Sequence, residues 1–196
     1  MTAARFCRPA AFPVSSPLLM RTQYDEGDIR QSIDRLAAAV GQALTADGEI
    51  SIVGIRTRGE VLAARLTAAL QKRGPQRIGR GVLDITMYRD DLSEVGPAPM
   101  VRPTHIDFDI NDKPMVLVDD VIFTGRSIRA ALNALADFGR PSVIRLAVLV
   151  DRGGRELPIQ PDFVGLALKE VPADHRVNVR LAEVDGRDEI LVEPRT

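Results

Sequence analysis

The sequence predicts an α/β fold, a mostly parallel sheet with flanking helices. Two observations carry this. Apolar runs, such as the unbroken Met115 to Val118 and the stretch from Ser142 to Val150 that only Arg145 interrupts, alternate with segments of helical periodicity. That is the pattern of strands buried on both faces and joined by crossover helices. Short polar loops rich in Gly, Arg, Thr and Asp then follow those runs, at the strand ends where open α/β sheets take their ligands.

Composition bounds the function. A chain of 196 residues suits one domain with a sizeable core. Apolar content of 45% and charged content of 27% are ordinary for a globular domain. A net charge of −1 gives no global attraction to nucleic acid, so RNA binding would need a local basic patch. With Cys7 alone there is no intrachain disulfide, and with only His105 and His175 beside it a structural zinc site is not expected. No apolar run approaches the ~20 residues needed to span a bilayer, and the expected location is the cytoplasm.

The elements follow in order. Residues 1–23 read as an unstructured leader, with Pro9, Pro13 and Pro17 and no periodicity. Arg5 and Arg8 precede some apolar residues, but the prolines break any signal-peptide core, and Met20 is a candidate alternative start. The folded domain is expected over residues 24–196. From Asp28 the pattern is helical, with Ile29, Ile33, Leu36, Val40 and Leu44 on one face and Asp28 as cap, Gln31 following three residues on. Glu49 to Ile55 reads as a strand. It enters the loop Gly54-Ile55-Arg56-Thr57-Arg58-Gly59, and a helix from Glu60 to Lys72 follows. Two arginines and a threonine between glycines make either an anion site or a solvated basic turn. Val82 to Tyr88 reads as a strand, followed by Arg89 and a Pro/Gly-rich hairpin to Pro103 that suits a lid, with Thr104 to Phe108 as a returning strand. Past the central motif, Ser142 to Val150 is a buried strand ending in the polar turn Asp151 to Pro158. Asp162 to Leu168 and Arg176 to Val184 read as short strands, and Glu189 to Glu193 as a last edge strand.

The central stretch carries the chemistry. Met115 to Val118 is a strand with Asp119 and Asp120 at its C-terminal end. A loop with Thr124, Gly125, Arg126 and Ser127 leads into a helix marked by Ile128, Ala131, Leu132 and Leu135. A helix N-terminus binds phosphate through free N–H groups and partial positive charge. Gly125 lets the backbone approach closely, and the hydroxyls of Thr124 and Ser127 add donors. The two carboxylates can hold sugar hydroxyls and counter a cationic sugar. Together these features suit a phosphorylated ribose. Paired acids can instead be helix-entry caps, or a metal and phospho-acceptor site, although a receiver-type pair would follow the first strand. No P-loop run is present.

The run Val116 to Ser127, V-L-V-D-D-V-I-F-T-G-R-S, resembles the phosphoribosyl pyrophosphate (PRPP) motif of type I phosphoribosyltransferases. With G-I-R-T-R-G (from Gly54), D-I-T-M-Y-R-D-D-L (from Asp84), G-R-P (from Gly139) and L-V-D-R-G-G-R-E-L-P (from Leu149), the chain resembles the PyrR family in that order, from Asp28 to Ile190. This family comprises pyrimidine-operon regulators that are also uracil phosphoribosyltransferases.

The resemblance implies the type I phosphoribosyltransferase fold with a small hood, and the reaction of uracil with PRPP to UMP and pyrophosphate. It implies catalytic roles for Asp119, Asp120 and Arg89. PRPP contacts would come from Arg56, Thr57, Arg89 and the run Asp119, Asp120, Val121, Ile122, Phe123, Thr124, Gly125, Arg126 and Ser127. Arg152 and Val177 would belong to the base pocket, and Mg²⁺ would enter with PRPP. RNA of the pyrimidine mRNA leader would be met by Arg30, Arg35, Arg140 and Arg155, and the protein would be at least a homodimer. Asp34, Ala38 and Gly154 depart from the family pattern on the RNA side, where polar or basic residues and a His are usual. The stretch Leu168 to Arg176 departs in length and content beside the base pocket. The alternatives are an RNA-binding attenuation regulator with vestigial activity, or a phosphoribosyltransferase for another base.

Overall fold

The computed structural model describes residues 21–44, 49–74, 77–89 and 102–195. Five strands form a parallel sheet in the order β3-β2-β4-β5-β6: β2 Glu49–Ile55, β3 Arg77–Leu83, β4 Pro114–Ile122, β5 Val143–Asp151 and β6 Phe163–Ala167. Helices α1 (Glu26–Leu44) and α2 (Arg58–Gln71) cover one face, and α3 (Arg126–Leu135) the other. Strand alternation builds both cores. Ile52, Val116, Ala147 and Leu149 pack under α1 and α2, while Val53, Met115, Leu117, Leu146 and Val148 pack under α3. The expected mostly parallel sheet with flanking helices is therefore present.

A second, three-stranded antiparallel sheet has the order β1-β8-β7, from β1 Arg21–Tyr24, β8 Glu189–Pro194 and β7 His175–Arg180. It is the hood. Val179, Leu181 and Ile190 bury their side chains in the α1/α2 core and so fix it to the main sheet.

Several boundaries differ from the sequence reading. Residues 21–23, placed in the leader, belong to β1, whose backbone pairs with β8; residues 1–20, including Met20, lie outside the described residues. Helix α1 starts before Asp28 because Asp25 is its cap. The Asp28 N–H donates to Asp25 Oδ1 and the Asp25 N–H to Asp28 Oδ2, both at 3.1 Å, a reciprocal box. Strand β3 starts at Arg77 and ends at Leu83, and Thr86–Tyr88 is a 3₁₀ turn, since Asp84 Oδ1 takes the Thr86 N–H at 2.7 Å and bends the chain. The expected strand Thr104 to Phe108 reduces to one bridge between Val82 and His105.

Strand β7 stops at Arg180. Asp185 and Asp188 accept the N–H groups of Leu181 and Ala182, and the chain turns into the short helix α4, Ala182–Asp185. Finally, β8 is the middle strand of its sheet and not an edge.

Candidate active site

The C-terminal ends of β2, β3, β4 and β5 share one edge, and the residues singled out in the sequence gather there. Two glycines allow the assembly. A Cβ on Gly54 would stand 2.3 Å from the Gly59 carbonyl oxygen, and one on Gly59 would stand 2.5 Å from that of Val118. The N-terminus of α2 thus lies directly on the end of β4, a distance that only glycine permits.

Asp119 and Asp120 end β4. Asp119 is buried, with 7% of its surface exposed. The Asp120 N–H donates to Asp119 Oδ1 and the Val121 N–H to Asp120 Oδ1, both at 2.9 Å. Burial pushes the Asp119 carboxyl well above the usual carboxylate range, and the neighbouring Asp120 adds to this, against an opposing pull from Arg89. Burial raises Asp120 too, opposed by the Val121 N–H and by Arg58. Arg89 and Arg58 only partly offset the burial of this pair, so a cation placed beside it would favour the ionised carboxylates.

Past the acids, Gly125 adopts φ 94° and caps α3, a left-handed conformation suited to glycine. The loop and first turn enclose a pocket of about 140 Å³ lined by residues 121–128, large enough for a phosphate group. Thr124 is bound into the loop, its hydroxyl accepting the Arg126 N–H at 3.3 Å. Arg126 pairs with Glu156 at 2.7 Å.

The turn after β5 buttresses that loop. The N–H groups of Glu156 and Leu157 donate to the Thr124 carbonyl at 3.0 and 3.1 Å. Arg155 reaches inward to the carbonyls of Phe123 and Ile159, both at 3.0 Å, and pairs with Asp151 at 2.8 Å. Arg152 is buried. Its guanidinium stacks 3.9 Å from the centre of the Phe123 ring and donates to the carbonyls of Pro172 and His175, each at 2.9 Å. Its Nε is buried without a partner. Burial lowers its pKa, and Arg195 lowers it further. Val177 is half-buried on β7, packed against the α1/α2 core.

On the β2 side, Arg56 donates to the Pro103 carbonyl at 3.2 Å and lies 3.8 Å from Glu60. The Arg56–Thr57 peptide is cis. Arg89 ends the 3₁₀ turn, and its charge reaches Asp119. The lid expected after it falls on residues 90–101, outside the described residues. Asp84 joins the two stretches that flank those residues, accepting the N–H groups of Thr86 and Arg102. Burial opposes ionisation of Asp84, but these bonds prevail and lower its pKa.

Sequence reading missed Arg58 and Asp185. Arg58 Nε and Nη2 donate to Asp185 at 3.0 and 2.8 Å, and the same guanidinium acts on Asp120. The bond to Asp185 raises the Arg58 pKa. One helical stretch on, Arg65 Nε meets Glu183 at 2.9 Å and its Nη2 meets Asp188 at 2.8 Å. The hood is thus clamped to α2 beside the acid pair. The only local signal was the second arginine of R-T-R-G, which nothing in the sequence set apart from the first.

The arginines suggested for RNA divide. Arg30 is exposed, 3.7 Å from Glu26, and Arg140 is exposed. Arg35 is engaged with Ser32 at 3.0 Å and with the Gly165 carbonyl at 3.1 Å. Arg155 is turned inward, with 11% of its side chain exposed, and pairs with Asp151 and the Phe123 carbonyl. At Gly154 (φ 76°) a Cβ would stand 2.6 Å from the Phe123 ring, so the glycine makes room for that ring. A groove of about 660 Å³ between α1, α2 and the α4 region is larger than the pocket lined by residues 121–128. It holds mixed charges and lies away from the strand ends, so volume does not mark the site.

The model of the phosphoribosyl transferase domain matches residues 21–185. A bifunctional protein PyrR of Roseiflexus is 55% identical over 164 residues, covering 83% of this chain and 88% of the relative. The chain belongs to the PyrR family of phosphoribosyltransferases. Other PyrR relatives are those of Deinococcus radiodurans, 49% identical over 82% of this chain and 87% of the relative, and Thermus thermophilus, 49% identical over 83% and 90%. Among solved structures, a hypoxanthine-guanine phosphoribosyltransferase from Bacillus anthracis superposes with a TM-score of 0.66 at 16% identity, over 91% of this chain and all of that one. The hypoxanthine phosphoribosyltransferase of Trypanosoma cruzi gives 0.62 at 18%, over 89% and 97%. These two share the fold of this chain. Among the described residues no helix is long and apolar enough to cross a membrane.

Proposed function

We propose that this chain transfers the phosphoribosyl group of PRPP to uracil, giving UMP and pyrophosphate. The observation that carries the reading is the order of chemistry along one sheet edge. The anion loop lies at β2, the acid pair and phosphate cradle at β4, and the Arg152–Phe123 stack at β5 and the hood. That order matches pyrophosphate, ribose 5-phosphate and base in turn.

Breaking the bond from C1′ to pyrophosphate leaves an oxocarbenium-like ribose, so the protein need supply no nucleophile. Catalysis is positioning and electrostatics. Asp119 and Asp120 hold the ribose hydroxyls and favour the positive charge that develops beside them. Residues 123–127 hold the 5′-phosphate at the N-terminus of α3. Arg56, Thr57 and Arg89 take the pyrophosphate.

Among the described residues no group of three or more His, Cys, Asp or Glu side chains could cage a metal ion. Two adjacent carboxylates nevertheless fit Mg²⁺, which keeps several waters and is held by one or two carboxylates plus substrate phosphates. Asp119 and Asp120 are the residues that would hold it, and the ion would neutralise charge on the leaving pyrophosphate. The test is pyrophosphate release from PRPP with a panel of uracil, cytosine, adenine and hypoxanthine. Turnover with uracil far above the other bases is expected; preference for a purine, or no turnover, would refute the reading.

A second role, UMP-dependent binding of the pyrimidine mRNA leader, is supported by the word bifunctional in the relatives' names and by the exposed Arg30 and Arg140. Titration of the protein into its own leader transcript, with and without UMP at stated salt, tests it. Affinity no higher than for a shuffled transcript would sink it.

A further inference from the structure

At the far end of β8 the chain places a second cation on Phe123. The Arg195 guanidinium lies 5.2 Å from the ring centre that Arg152 stacks on at 3.9 Å. The Arg195 N–H donates to the Asp174 carbonyl at 2.7 Å, which fixes the chain end against the segment before β7. Among the described residues neither guanidinium is paired with a carboxylate. The nearby acids are committed elsewhere, Asp151 to Arg155 and Asp174 to His175, at 2.8 and 2.9 Å. Two like charges beside one ring, one of them buried with an unpartnered Nε, form a site that lacks an anion.

We infer that Arg195 is a specificity-determining residue of the base subsite, which with Arg152 selects a pyrimidine able to react as its ring anion. The inference rests on the uracil-transfer reading. The pyrimidine releases its N1 proton to solvent. The N1 electron pair then forms the bond to C1′, while the C1′–O bond breaks and its pair leaves on pyrophosphate. Charge on the deprotonated ring spreads to the two carbonyl oxygens, which accept hydrogen bonds, and N1 no longer needs an acceptor partner. Guanidinium groups stabilise that form over the neutral ring.

The site also explains a local feature: Gly154 leaves the space the Phe123 ring occupies. Because Arg195 is exposed at the end of its strand, its replacement leaves the core intact.

The experiment measures steady-state kinetics of Arg195→Ala and Arg195→Lys with uracil and with the more acidic 5-fluorouracil. A unit charge at the edge of a partly desolvated site is worth on the order of tenfold in rate. Arg195→Ala is therefore expected to lose about tenfold in kcat/KM for uracil and clearly less for 5-fluorouracil, with the PRPP KM unchanged. Lysine should restore most of the loss. Wild-type uracil kinetics in Arg195→Ala, an equal loss for both bases, or a loss confined to the PRPP KM would each overturn the role of Arg195 alone. A wild-type protein that turns over neither base would overturn the uracil-transfer reading, and this inference with it.

Discussion

Replacing Asp119 by Asn separates charge from shape at the centre of the site. The amide oxygen of Asn can keep the bond from the Asp120 N–H, 2.9 Å in the wild type, so the main loss is one negative charge. If that charge favours the oxocarbenium ribose, kcat should fall by at least ~10², about 2.7 kcal/mol of transition-state stabilisation. The same change should stabilise the ligand-free protein. Burial and Asp120 hold the Asp119 pKa above its unfolded value of 3.8. Between those two values the folded state keeps a proton that the unfolded state has released. Stability therefore declines as pH rises through that window and stays reduced above it. Asn has no proton to lose, so its advantage over wild type should be larger at pH 8 than at pH 5. Each kcal/mol recovered should appear as about 2–4 °C in Tm. Thermal melts at both pH values, alongside pyrophosphate release, make the check. A variant that melts below wild type at pH 8, or that keeps kcat within threefold, would refute the reasoning.

Three other outcomes are expected. Arg58→Ala and Asp185→Ala should each lower kcat/KM for PRPP, and a double-mutant cycle in urea should show coupling of about 1 kcal/mol; additive effects would mean the pair neither clamps the hood nor serves Asp120. Gly59→Ala should destabilise by about 1–3 kcal/mol, read as a lower urea midpoint, because its Cβ would meet the Val118 carbonyl at 2.5 Å and backbone cannot yield cheaply. Arg155→Ala removes the bonds to the Phe123 and Ile159 carbonyls and should raise the PRPP KM more than it lowers kcat; an unchanged KM would show that the phosphate loop stands without this brace.

How much of this was legible in the sequence depends on distance along the chain. The parallel strands, the acid pair and the Gly125 cradle were readable because each is written within a dozen residues: an apolar run, then acids, then a glycine at a helix start. The strand ends were less legible. Asp84 ends β3 by capturing the Thr86 N–H, and Asp185 ends β7 by capturing that of Leu181. In both cases one carboxylate overrides a weak alternating pattern. Asp28 was read as a cap because it precedes the apolar face, whereas the reciprocal bond with Asp25 makes it the third residue of the helix.

The least legible residues were the arginines, since their meaning lies in partners far along the chain. Arg56 and Arg58 stand two apart in one loop. Only the fold brings Asp185 to Arg58 and leaves Arg56 facing Pro103 and Glu60. Arg155 looked like a surface cation until Phe123, 32 residues away in sequence, supplied its carbonyl. Charge in a loop therefore signals that an anion or a carbonyl will be met. Which of the two it meets is decided by the element that packs opposite, and here that element is the hood for Arg58 and the phosphate loop for Arg155.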